Sequence, residues 1–99
     1  MRKFPRKLHI DVTQRDIKLG KKQDACECPI ARAARRALGI RQKGLVGVCT
    51  TIDIGMDSHG NSVRYDIPQK ADWFISAFDW GSDSMGMVKP FSFVAVRFQ

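Results

Sequence analysis

Long apolar runs are missing from this chain of 99 residues, and no stretch approaches the roughly 18 residues that span a bilayer. The opening segment MRKFPRKLHIDVTQR is basic but has no apolar centre, so a secretory leader is not expected. Cysteine is scarce and odd in number, at three, which argues against a disulfide scaffold and for a reducing cytoplasm. Neither GxxxxGK[ST] nor GxGxxG occurs, so no phosphate-cradling loop is expected. The GxSxG and HExxH patterns of hydrolases and metalloproteases are lacking too. What is present is ordinary for a globular chain: 43% hydrophobic and 27% charged residues. At 11.2 kDa the chain makes one domain with one modest core and little volume for a deep pocket. Binding modules are commoner than enzymes at this size, and no enzyme is expected.

Positive charge is abundant and unevenly placed. Residues 1–44 hold 13 basic and 4 acidic side chains, a balance of +9, while residues 45–99 hold 4 and 6, a balance of −2. Together they give the net +7. Such a split predicts a one-sided field that attracts phosphate or an acidic protein, unless the cations simply solvate a small domain.

Residues 1–7 read as a basic arm and 8–99 as the domain. Leu8, Ile10 and Val12 alternate with His9 and Asp11, the period of a half-buried strand. Thr13 with Asp16 resembles a capping box for a short helix over Gln14 to Leu19, ended by Gly20. Pro29 and Gly39 bracket a second helix, with Ile30, Ala33, Ala34, Ala37 and Leu38 on one face and Arg32, Arg35 and Arg36 on the other. From Leu45 to Ile54 the period is two again, with Val46, Val48, Thr50, Ile52 and Ile54 on one side of a single strand. Turn residues Asp57 to Asn61 lead to a strand through Val63, Tyr65 and Ile67. Pro68 opens a third helix to Trp80, its core face Phe74, Ala77 and Phe78, flanked by Trp73, Ile75 and Trp80. A Gly/Ser/Met loop from Gly81 to Lys89 precedes a closing strand, Phe91 to Phe98. This order predicts an α+β fold, a ferredoxin-like sandwich with a four-stranded antiparallel sheet and helices on one face. Another α+β meander pairing the same elements differently is the alternative.

The sheet face away from the helices is expected to carry His9, Asp11, Arg64 and Asp66, with Tyr65 inside. It lacks the stacking aromatics of an RNA-recognition module. Asp53, Asp57 and His59 cluster at the hairpin, where acid–base chemistry competes with a plain turn. Cys26 and Cys28 precede the second helix, and a thiol at a helix N-terminus is expected to have a lowered pKa. Cys49, His9 and His59 are further candidate zinc ligands, but no second knuckle appears at recognised spacing. Buried structural thiols are the default, and no metal or cofactor is expected.

The helix carrying Arg32, Arg35 and Arg36 is the strongest functional candidate, since guanidinium groups bind phosphate oxygens in pairs and little acid lies on that face to cancel them. Arg41, Lys43, Lys21 and Lys22 extend the patch, with Arg2, Lys3, Arg6 and Lys7 in the arm. The competing reading is a solvated helix back. Trp73 and Trp80 add more apolar surface than one stripe can bury, and an exposed edge would mark a protein contact.

The segment DACECPIARA, Asp24 to Ala33, resembles a motif of small uncharacterised proteins from bacteria and their phages, D-C-x-x-C-P-[VI]-A-x-A preceded by a strand and T-x-x-D-I. Thr13 to Ile17 and Cys28 to Ala31 carry the match; the first motif cysteine falls on Ala25, one position before Cys26. The resemblance implies a phage or mobile-element setting and brings no activity with it. The first functional expectation is therefore a non-enzymatic, phage-encoded accessory protein in the host cytoplasm. It would bind nucleic acid or a nucleoprotein through the arm and the arginines. The alternative is a protein-directed inhibitor of a host enzyme or defence system acting through Trp73 and Trp80. A thiol or zinc site and a virion subunit rank below these.

Overall fold

A computed structural model describes residues 4–41, 44–55, 62–81, 86 and 88–98. The elements run β1 (Lys7–Val12), α1 (Gln14–Leu19), α2 (Pro29–Leu38), β2 (Val46–Val48), β3 (Thr51–Gly55), β4 (Ser62–Asp66), α3 (Gln69–Trp80) and β5 (Phe91–Arg97).

Local signals set the helices. The Thr13 hydroxyl accepts from the Asp16 N–H at 3.2 Å and the Asp16 carboxylate accepts from the Thr13 N–H at 3.0 Å, a complete capping box. Pro29 stands in the first turn of α2, and Gly39 ends it in the left-handed region at φ 70°. Gly20 serves a close approach instead: a Cβ there would lie 2.7 Å from Pro29 Cδ and 2.8 Å from the Asp16 carbonyl oxygen.

The fold is α+β with an antiparallel sheet, but the sheet has five strands in the order β1-β5-β4-β3-β2, not four. The extra strand arises because the run from Leu45 to Ile54 folds back at Cys49 and Thr50. Val46 then faces Ile54 and Val48 faces Ile52. Three residues, Cys49 to Thr51, separate the paired Val48 and Ile52, and an odd number preserves side-chain parity, so all four stay on the buried side while Thr50, at the tip, is exposed. Strand order differs from the ferredoxin-like expectation as well. β1 lies at an edge beside β5, pairing Leu8 with Ala95 and Ile10 with Phe93, and every neighbouring pair is antiparallel. The split βαβ pairing is therefore not formed, and the meander alternative describes the chain.

Helices α1 and α2 carry the chain from one sheet edge to the other, and α2 packs against both β1 and β2. Four strand spacings make a flat sheet about 19 Å wide, against about 10–12 Å for a helix. Contact with both edges thus requires the sheet to curl around α2. Ile10, Ile30, Ile52, Ile54, Tyr65 and Phe74 are among the fully buried side chains. Phe74 of α3 meets Phe91 with ring centroids 4.9 Å apart, and Ala71, Ala77 and Phe78 complete its buried face. The Tyr65 hydroxyl donates to the Pro5 carbonyl, and Arg97 bonds the carbonyls of Phe4 and Arg6. The segment read as an arm is accordingly tied to the domain from Phe4 onward.

Candidate functional site

The arginine helix does not present its cations as a free face. Asp16, from α1, lies fully buried and collects two of them. Arg36 donates to both its carboxylate oxygens, at 3.0 and 2.7 Å, and to the Asp11 carbonyl at 2.7 Å. Arg32 Nε stands 3.5 Å from the same carboxylate. Arg35 is buried and pairs with Glu27 at 3.1 Å, whereas Ala37, expected inside, is exposed. The expectation of a helix face with little acid to cancel it is thus corrected: the acids come from α1 and from the loop before α2. Burial alone would raise the Asp16 pKa, but bonds from Arg36 and Thr13 outweigh it and hold the carboxyl below its ordinary value. Asp16 in turn holds Arg36 above its own.

Of the other predicted cations, Arg41, Lys21 and Lys22 are exposed, and Lys43 lies outside the described residues, as do Arg2 and Lys3. Lys22 Nζ sits 3.8 Å from the Cβ position of Gly81, at the end of α3. That helix has no basic residue in its own last turn, so Lys22 complements its dipole.

Trp73 and Trp80, seven residues apart, share one stripe of α3 and are 54% and 71% exposed. Trp80 forms a wall of a cleft of about 410 Å³ between α3, the loop before α2 and the β2–β3 turn. Asp24, Asp72 and Asp79 line it with Cys28, Cys49 and Thr50, and among the described residues no lysine or arginine does. Backbone bonds build the rim. Val48 N–H donates to the Ala25 carbonyl at 2.9 Å, tying the loop to β2. Gln23, held at φ 56°, donates through its backbone N–H to Asp79 Oδ1 at 3.0 Å and through its side chain to the Asp79 carbonyl. Asp24 Oδ1 accepts from the N–H groups of Cys26 and Glu27. The result is an acid-lined cleft on a cationic protein, with an indole beside it. Such a place receives an ammonium or guanidinium group by charge and by the ring face.

The remaining candidates separate. Cys28 Sγ accepts from the Ala31 N–H at 3.4 Å and caps α2. Its pKa moves opposite to expectation, pushed up to about 11 by burial that outweighs the helix N–H groups. Cys26 is half-buried and Cys49 exposed, and among the described residues no three His, Cys, Asp or Glu side chains gather to hold a metal ion. Asp57 and His59 lie outside the described residues, while Asp53 bonds Thr51 and pairs with Arg64 at 3.4 Å. His9, Asp11, Arg64 and Asp66 are on the uncovered sheet face as expected. Val94, Val96 and Phe98, also exposed, were not anticipated. Their signal is the run Phe93-Val94-Ala95-Val96, apolar on both faces of β5. The cleft itself was not legible, since its lining comes from three separated segments.

No helix among the described residues is long and apolar enough to cross a membrane. Comparison with family models, with curated proteins and with solved structures gives no match.

Proposed function

We propose that this chain is a binding protein, not an enzyme, that docks a protein partner on the outer stripe of α3 and places a partner lysine or arginine in the adjoining cleft. One observation carries the reading: Trp80, 71% exposed, stands over a cleft lined by Asp24, Asp72 and Asp79, with no cation among its described lining residues. Exposed tryptophans concentrate binding energy at protein interfaces, and the carboxylates supply specificity for a basic side chain. In the phage setting implied by the Cys28–Ala31 motif, the partner is a host protein. Selection of a random peptide library on the immobilised protein is the test. Enriched peptides are expected to share a lysine or arginine and to lose binding to the Trp80→Ala and Asp72→Asn variants. Enrichment without basic residues, or binding indifferent to both variants, would contradict the reading.

A second reading, nucleic-acid binding, keeps support from the exposed Arg15, Lys18, Lys21, Lys22 and Arg41. On this account Arg32, Arg35 and Arg36 contribute mainly through the fold. Fluorescence anisotropy against DNA and RNA across a salt series tests it: affinity falling steeply with salt supports phosphate contacts, and no binding at low salt removes them.

A further inference from the structure

The two edges of the sheet are not equivalent. β2 is three residues long, and its outward Val48 N–H is taken by Ala25. β1 is twice as long, and among the described residues no strand pairs with its outer edge. The Arg97 N–H donates to the Arg6 carbonyl at 2.7 Å, which places Arg6 and, by alternation, Leu8, Ile10 and Val12 in the pairs that bond β5. The backbone groups of Lys7, His9 and Asp11 therefore turn away from the sheet. Arg36 confirms this direction by reaching the Asp11 carbonyl from outside. Among the described residues nothing else bonds these groups, and a carbonyl keeps a second lone pair beside such a contact.

An exposed row of unpaired N–H and C=O groups is a template for another strand. We infer that this edge pairs with β1 of a second copy of the chain, antiparallel, about a two-fold axis at His9. Only residues of odd number in β1 present bonding groups outward, so they must meet each other. Centring the pair on His9 sets Lys7 of each copy opposite Asp11 of the other, and Leu8 opposite Ile10. It is the register within β1 that matches unlike charges at both ends and apolar side chains between. Because β2 is only three residues long and its outward Val48 N–H is already taken, pairing stops at a dimer and does not propagate. The inference is independent of the cleft.

Sedimentation equilibrium of the full chain, from micromolar to millimolar concentration, reads this directly. A reversible dimer of the 11.2 kDa chain is expected. Lys7→Asp and Asp11→Lys each place like charges opposite at two symmetric positions, and each should weaken the dimer about tenfold or more. The double exchange restores unlike pairs and should recover most of the loss. His9→Pro removes an N–H that bonds nothing in the monomer, so its melting curve stays near wild type while the dimer disappears. A chain monomeric throughout, or a dimer indifferent to His9→Pro and to both single reversals, overturns the inference.

Discussion

Replacing Asp16 by Asn keeps the shape of the side chain and removes its charge. In the native protein the carboxylate, 1% exposed, receives the Thr13 N–H, two bonds from Arg36 and the approach of Arg32. The amide offers one acceptor oxygen and turns an NH₂ toward guanidinium donors. Losing the reciprocal cap costs about 1 kcal/mol, and weakening a charge-assisted pair costs about 1.5–3 kcal/mol. Arg36 is half exposed and rehydrates, which keeps the second figure near its lower end. The sum is about 2–3 kcal/mol, or a fall in Tm of roughly 10–20 °C for a domain of this size. The pH dependence has a definite sign. A carboxyl whose folded pKa is depressed stabilises fully above its unfolded pKa of about 3.9 and loses that contribution as pH falls through the lower folded value. The Tm gap between wild type and Asp16→Asn should thus be full at neutral pH and narrow in acid, down to about pH 2. Thermal melts followed by circular dichroism measure both. A variant melting within about 2 °C of wild type, less than 1 kcal/mol, or a gap undiminished in acid, would refute the assignment of Asp16 as the anchor of the arginine helix.

Other outcomes follow from single contacts. Gly20→Ala drives a methyl into Pro29 and the Asp16 carbonyl and should cost about 1–3 kcal/mol in denaturant titration; no loss would mean the α1–α2 junction is slack. Tyr65→Phe removes the bond to Pro5 and should cost about 1 kcal/mol, with faster amide exchange at Arg97, whose N–H bonds Arg6. With its pKa at about 11, Cys28 has a thiolate fraction of about one in a thousand at pH 8. Mass spectrometry during alkylation should show Cys49 modified first and Cys28 only on unfolding; equal rates would contradict the burial. Trp73→Ser and Trp80→Ser should leave stability within about 0.5 kcal/mol of wild type in the same titration, and a large loss would mean that both rings pack.

Punctuation was what the sequence showed most plainly. Thr13 with Asp16, Pro29, Gly39 and Pro68 start or stop helices by local chemistry, and the helix limits follow them closely. The turn at Cys49 and Thr50 carries no glycine or asparagine, and the three residues between the paired Val48 and Ile52 leave the alternation unbroken, so one strand was expected where two form. Strand order depends on pairing β1 with β5 across the whole chain, which periodicity does not encode. The arginines show the same limit for function. Their helical face was legible, but Asp16 lies 20 residues before Arg36, and only the packing of α1 on α2 brings them together. Cys28 was placed at the correct helix end, yet its reactivity turned on burial and not on the helix dipole. The exposure of Trp73 and Trp80 could be read from the excess of apolar residues in α3.

The central claim is that the α3 stripe and its acid-lined cleft receive a basic protein segment. Titration of the ¹⁵N-labelled protein with a selected lysine- or arginine-containing peptide, followed by ¹H–¹⁵N correlation spectra, tests it most directly. The account predicts that the indole N–H signals of Trp73 and Trp80 shift together with the amides of Asp72, Asp79 and Thr50, while those of α2 stay in place. Shifts confined to Lys18, Lys21, Lys22 and the arginines of α2, with both indoles unmoved, would contradict it.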